Sequence, residues 1–242
     1  MTEPTPDRRT RLGLIVPSSN TTAEPEFRRY GPEDATVHGA RMALESVTVD
    51  ELDEMSRGAV RAAELLGHAD VDAVAYACTT GSLIHGPGFD AELEADLEAA
   101  AGVPAVATAR SVLRALEALS ADRIAVATPY TATLDEKERA FLEAAGLEVA
   151  TIDGRGIEAN TEIGALGPED ARRQVLNLDS DRPADVDAVF ISCTNYRSLE
   201  AVADLEAELG VPVVTSNGAT LWDVCRAADI PVDAPGALFR TE

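Results

Sequence analysis

At 242 residues, 45% of them hydrophobic, the chain has enough apolar material for a buried core in one large domain or two small ones. Its 43 acidic residues against 20 basic ones leave a formal charge of -23, which sets aside nucleic acid and anionic membranes as partners, because both need a basic surface. No apolar run reaches the roughly 18 residues of a membrane span, and the polar start, Met1 to Thr10, lacks the apolar core of a signal peptide.

A soluble, cytoplasmic protein is therefore expected. Lys137 is the only lysine, and the acidity is spread over helix faces, as on a salt-adapted surface. Three cysteines, with no CxxC or His-cluster spacing, predict reduced thiols and no structural metal site.

In chain order, Arg11 to Pro17 reads as a strand followed by the polar turn Ser18-Ser19-Asn20-Thr21-Thr22. A helix over Ala23 to Tyr30, a strand over Thr36 to Met42 and an amphipathic helix over Val49 to Leu66 follow. Val71 to Cys78 is a buried strand ending on a cysteine, and an acidic helix over Asp90 to Ala101 exits through Gly102-Val103-Pro104 into a further strand. The glycine suits a left-handed helix cap, and the proline begins a strand without needing a ladder donor.

The order then repeats. Arg123 to Pro129 matches the first strand, Leu134 to Ala145 the first helix and Glu148 to Ile152 the second strand. Pro168 to Leu178 matches the amphipathic helix, Val186 to Cys193 the cysteine strand, and Leu199 to Leu209 with Gly210-Val211-Pro212 the acidic helix and exit. Four strands recurring in register mark a duplication.

Alternating strands and helices predict an α/β fold with parallel sheets and right-handed crossovers. Two flavodoxin-like lobes, each with a four-stranded parallel sheet, are expected to face each other about a pseudo-twofold axis with the active site in the cleft between them. The first lobe would span 1–115 plus 216–242 and the second 116–215, bridged by helices over Ser111 to Leu119 and Ala219 to Ala228.

Ligands of such sheets bind beyond the carboxyl ends of the strands, which is where Cys78 and Cys193 fall. Backbone N–H groups of the following turns would favour their thiolates. Two opposed thiols suit attack from one side of a small planar substrate and proton delivery from the other. Ser18, Ser19, Asn20, Thr79, Thr80, Ser82, Tyr130, Thr131, Asn160, Thr194, Asn195, Ser216 and Asn217 offer an uncharged lining for a small anion.

Cys225 reads as a core thiol. His85 is expected to order its Gly/Pro loop. Arg197 is expected either to pair a carboxylate or to lie on an outer face. The glycine-bearing loop from Asp153 to Gly167 is a candidate lid.

On Gly13 to Thr22, the Cys78 turn, Pro129-Tyr130, Gly156-Ile157 leading to Asn160, and the Cys193 turn, the chain resembles the maleate cis-trans isomerase family of the Asp/Glu racemase superfamily, with arylmalonate decarboxylases as relatives. The resemblance runs from Arg11 to about Ile230 and implies a cofactor-independent isomerase. By it, Cys78 adds to maleate and Cys193 is the opposing acid/base. The same resemblance has Asn20, Tyr130 and Asn160 holding the two carboxylates, with Thr79, Thr80, Thr194 and Asn195 as further substrate-binding residues. It also implies a homo-dimer or larger homo-oligomer. One departure is the turn Thr79-Thr80-Gly81-Ser82, which is more polar than the apolar turn of maleate isomerases and closer to the carboxylate-cradling turn of the decarboxylases and racemases. Two other functions fit the same residues: racemisation of Asp, Glu or a hydantoin by both thiols, and non-catalytic binding of a small anion in the cleft.

Overall fold

In the computed structural model, which describes residues 8–178 and 185–241, eight strands form two separate sheets. Residues 1–7 of the polar start lie outside the described residues. The first half runs β1 (Thr10–Pro17), α1 (Ala23–Tyr30), β2 (Ala35–Met42), α2 (Val49–Ser56), α3 (Ala59–Gly67), β3 (Ala73–Tyr76), α4 (Thr79–Leu83), α5 (Phe89–Ala101), β4 (Ala105–Ala107) and α6 (Thr108–Ala118). The second runs β5 (Arg123–Thr128), α7 (Ala132–Ala144), β6 (Glu148–Gly154), α8 (Asn160–Gly164), α9 (Pro168–Leu176) and β7 (Ala188–Ile191). A tight helical turn (Leu199–Ala201), α10 (Val202–Leu209), β8 (Val213–Thr215), α11 (Ser216–Ala227) and a last turn (Ala237–Arg240) complete it.

Strand order is β2-β1-β3-β4 in one sheet and β6-β5-β7-β8 in the other, and every pairing is parallel. The duplication in the sequence is thus a duplication of topology. β3 and β7 are buried on both faces, which is why Ala-Val-Ala-Tyr and Ala-Val-Phe-Ile show no polar alternation. Gly102 and Gly210 cap α5 and α10 at φ of 75° and 72°, the left-handed conformation expected of them.

One predicted helix is two. The stretch from Val49 to Leu66 breaks at Gly58, whose N–H donates to Met55 O at 2.9 Å, a tight turn in place of the next helical bond. The break lets α3 bury Ala59, Ala62, Ala63 and Leu66, while α2 turns Leu52 and Met55 into the core around the Cys78 turn.

The lobes exchange their last helices. α6 buries Val112, Ala115 and Leu116 with Ile124, Val126, Phe190 and Val214 of the second lobe. α11 buries Leu221, Val224 and Cys225 with Leu12, Leu14 and Val16 of the first. Because each buried aliphatic side chain contributes about 1.5–3 kcal/mol, neither sheet is fully covered without the other half of the chain. A division drawn at 115/116 runs through α6.

Candidate active site

Both predicted thiols sit at the carboxyl ends of β3 and β7 and line one small cavity of about 10 Å3. Around them are Asn20, Thr79, Thr80, Tyr130, Asn160, Thr194 and Asn195, so the residues singled out in the sequence converge. That is room for about one water, so the cavity is closed down in this state and a ligand enters only as its lining moves apart. Pro17, Leu44 and Val47 also line it.

Leu44 and Val47 belong to a strap that sequence reasoning passed over because it has no periodic pattern. The Val47 N–H donates to Glu158 O at 2.8 Å, and the Asn160 N–H to Glu45 O at 3.2 Å. Ser46 and Ala159 thereby form an antiparallel bridge between the lobes, and this bridge meets the loop predicted as a lid. Ser19 pins the strap by donating to Leu44 O, and Glu51 accepts the N–H groups of Glu45 and Ser46.

The polar residues divide by how their donors are spent. Asn195 donates to Asn160 O and Oδ1 at 2.7 and 3.1 Å and accepts the Thr21 N–H at 2.9 Å, so it rivets the two lobes. Thr79 donates to Ser216 at 2.8 Å, and Thr194 donates to Ala77 O at 3.0 Å. Asn20 gives one amide hydrogen to Thr194, and Asn160 gives one to Ser19, at 3.1 and 2.8 Å. An amide carries two donors, so each retains a second.

Other candidates serve the framework. Ser82 donates to Cys78 O and Thr79 O, and Asn217 donates to Glu26 and Thr194 O. The polarity of the turn after Cys78 is thus partly consumed in closing α4. His85 pairs with Asp53 and packs edge-on against Phe89, as expected for a loop-ordering residue. Arg197 is exposed, and Cys225 is fully buried among aliphatic side chains.

The cysteines are equivalent in topology but not in backbone. Cys78 is extended, with φ of -149°, and α4 starts directly after it. Cys193 has φ of 93°, a strained value for a residue with a Cβ, and a turn rather than a helix follows. Its N–H donates to Ser216 at 3.0 Å, and the Asn195 N–H reaches its sulfur at 3.4 Å.

Expectation and structure differ on charge. Burial pushes the Cys78 thiol up to about 12 and the Cys193 thiol up to about 11, outweighing the nearby N–H donors that were expected to favour thiolates. In this closed cavity both sulfurs rest as thiols.

Sequence reasoning also missed two buried carboxyls, Glu26 and Glu138, although each stands nine residues after the proline that ends the first strand of its lobe. Burial raises Glu26 to about 7 against hydrogen bonds from Asn217 and Leu199. The raised value means that the folded protein holds this proton where the unfolded chain has lost it, so stability falls as pH rises from about 4.5 through 7. In urea unfolding across that window Glu26 is expected to account for a loss of roughly 3 kcal/mol, at 1.36 kcal/mol per unit, and Glu26→Gln should lessen the slope by that share while buried Glu138, raised in the same direction to about 8, keeps its own. An identical slope in that variant would assign the loss elsewhere.

Among the described residues no group of three or more His, Cys, Asp or Glu side chains converges to hold a metal ion, and no helix is long and apolar enough to cross a membrane. Two parallel-sheet lobes that each bring a buried thiol to one shared cavity define an α/β enzyme with paired cysteines. The sequence profile of the arylmalonate decarboxylase family matches residues 12–239, and the chain belongs to that family.

Its relatives include maleate isomerases. The chain is 34% identical over 239 residues to that of Nocardia farcinica, covering 94% of this chain and 93% of the relative. It is 33% identical over 240 residues to that of Pseudomonas putida, covering 94% and 95%. Among solved structures, a cysteine-to-alanine maleate isomerase from Pseudomonas putida with maleate superposes with a TM-score of 0.91 at 30% identity, over 96% of this chain and 98% of that one. A cysteine-to-serine maleate cis-trans isomerase from Nocardia farcinica, with a covalently bound succinylcysteine intermediate, gives 0.88 at 29% identity over the same shares.

Proposed function

We propose that the protein is a cofactor-independent cis-trans isomerase that converts maleate to fumarate by covalent addition of Cys78, with Cys193 as acid and base. The observation that carries this reading is the pair of buried thiols in a cavity whose spare donors are neutral. Substrate carboxylates entering this space meet the remaining amide hydrogens of Asn20 and Asn160, the Tyr130 hydroxyl and Thr80. Thr79, Thr194 and Asn195 hold those groups in place.

The minority of Cys78 that is ionised adds to one alkene carbon of maleate while the Cys193 S–H protonates the other, leaving a succinyl thioether at Cys78 and a thiolate at Cys193. The former double bond is now single and rotates. Cys193 takes the proton back, the carbon–sulfur bond breaks, and fumarate leaves with Cys78 again a thiolate. A closed cavity keeps water from competing for the carbanion-like centre.

Proton NMR of the protein with maleate tests the reading: fumarate should accumulate without added cofactor. Proton exchange at the α-carbon of aspartate, glutamate or a hydantoin, with no fumarate, would favour racemisation. Carbon dioxide release from an arylmalonate alone would favour decarboxylation, and binding without turnover a passive receptor. The acidic charge and free thiols support a cytoplasmic, soluble setting. Light scattering tests the homo-oligomer suggested by the resemblance.

Gly81 offers a second test. A Cβ there would lie 2.7 Å from Tyr76 Oη, 2.8 Å from Met55 Cε and 3.0 Å from Cys78 Sγ. Met55 can yield, but Tyr76 is locked in the core, so Gly81→Ala displaces the thiol. Turnover should fall by roughly a hundredfold, the cost of a 1 Å misplacement, with stability lowered by about 1–3 kcal/mol. Unchanged kcat in this variant would mean that the position of Cys78 is not critical.

A further inference from the structure

The two cysteine turns are tied to each other on either side of Cys78. The carbonyl oxygen of the residue before it, Ala77, accepts the Thr194 hydroxyl at 3.0 Å, and the residue after it, Thr79, donates its hydroxyl to Ser216 Oγ at 2.8 Å. The same Ser216 oxygen accepts the Cys193 N–H at 3.0 Å. Ala77, Cys78, Thr79, Ser216, Cys193 and Thr194 therefore form one closed ring of covalent and hydrogen bonds that contains both thiols. Every member is buried, Ser216 completely.

Ser216 is the member that belongs to neither turn. It opens α11, the helix that crosses to the first lobe. A hydroxyl oxygen has two acceptor sites, and here one serves each cysteine turn. The first lobe places Thr108 at the equivalent position, since Val103-Pro104 leads to Thr108 as Val211-Pro212 leads to Ser216. Thr108 donates instead to Tyr76 O at 2.9 Å, two residues short of Cys78.

This difference follows the backbone. Cys78 is ordinary extended chain at φ of -149°, whereas Cys193 stands at 93°. A residue with a Cβ keeps such a conformation only where its surroundings over-determine it. The first two residues of α11 do so at Cys193: Ser216 fixes its N–H, and Asn217 donates to Thr194 O at 2.9 Å.

We propose that Ser216 is a positioning residue that locks Cys193 in its left-handed backbone and, through Thr79, holds that thiol in register with Cys78. The inference rests on the proposed role of Cys193 as acid and base. The Cα–Cβ bond swings with φ, so a relaxed Cys193 backbone carries its sulfur away from the carbon that must exchange a proton. Asn20 and Asn160 give their bonded amide hydrogens to Thr194 and Ser19, so the groups proposed to hold the carboxylates do not depend directly on Ser216.

The test combines crystallography of the substrate-free protein with kinetics. In Ser216→Ala the φ of Cys193 should leave the left-handed region. With maleate, kcat should fall by about tenfold to a hundredfold, the larger figure being the cost of a 1 Å misplacement, while KM stays within about threefold. Proton removal, the step that needs Cys193 as base, should slow more than addition, so mass spectrometry of the quenched reaction should show a larger fraction of succinyl adduct on Cys78 than in the parent. Thr79→Val removes only the tie to the first lobe and should lower kcat without that gain in adduct.

Ser216→Thr keeps the hydroxyl, and Thr108 shows that a threonine fits at such a helix start, so this variant should restore kcat to within about threefold of the parent. Ser216→Cys, similar in shape but a weak acceptor, replaces the alanine variant if that chain does not fold. An unaltered Cys193 backbone in the variant without the hydroxyl overturns the proposal. So does an unaltered kcat, a fall in kcat with no gain in adduct, or a Ser216→Thr chain as impaired as Ser216→Ala. Failure of the parent to isomerise maleate would refute the activity instead, and the substrate-free structures would still decide whether Ser216 holds the Cys193 backbone.

Discussion

Cys78→Ala is expected to reduce maleate turnover by at least a thousandfold, in line with losses when a nucleophile is removed, while maleate still binds. Rotation about a carbon–carbon double bond requires its π bond to be broken, and in the proposed mechanism the adduct achieves this by converting the bond to a single one. Apart from the second thiol, proposed as the acid and base, the lining of the cavity among the described residues is amide, hydroxyl and aliphatic, and none of these groups adds readily to an alkene. The carboxylate-holding groups are untouched by the change, so isothermal calorimetry should give a dissociation constant within a few-fold of the parent. Turnover retained in Cys78→Ala would rule out covalent addition by this thiol. Cys225→Ala is the control: that sulfur lies in the aliphatic cluster between α11 and β1 and should leave turnover intact.

The parts of this site legible in the sequence were those written twice. Strands buried on both faces leave β-branched and alanine runs, and a helix that must stop before a buried strand leaves Gly-Val-Pro. Duplication then aligns Cys78 with Cys193 without any structural information. The parts that were not legible arise where the copies diverge. Nothing in Ser192-Cys193-Thr194 announces a positive φ, because that backbone is imposed by Ser216 and by the following turn, which are distant in sequence or irregular.

The resting charge of the thiols is not legible for a related reason. N–H donors near a strand end are local and visible, whereas dehydration is collective. It depends on the strap at Leu44 and Val47 meeting the loop at Glu158 to Asn160, residues more than a hundred positions apart. The break at Gly58 likewise reflects tertiary packing, since the amphipathic pattern from Val49 to Leu66 reads through it. Glu26 and Glu138 were legible in principle. Acidic residues on helices read by default as solvated faces, and only their shared offset from Pro17 and Pro129 sets them apart.

Cys193→Ser is expected to trap the succinyl adduct on Cys78, seen by intact mass spectrometry as the gain of one molecule of maleic acid and localised to the peptide that carries Cys78. The two half-reactions make unequal demands on residue 193. Protonating a carbanion-like carbon is downhill, and a water that reaches the site in the variant can supply that proton, its hydroxide leaving and residue 193 staying a neutral hydroxyl. Removing the proton again to expel the thiolate needs a base, and a buried serine would have to become an alkoxide, far less accessible than a thiolate that titrates at about 11. Addition therefore continues while elimination stalls, and fumarate formation should fall by about a thousandfold or more. The asymmetry also predicts that Cys193→Ser incubated with fumarate gives the same mass increase, because both isomers lead to one adduct. The double variant Cys78→Ala with Cys193→Ser should show no mass change with either. An unmodified Cys193→Ser protein under conditions where the parent turns over would mean that Cys193 is needed for addition itself, and that the acid step rather than the base step is the one only a thiol can perform.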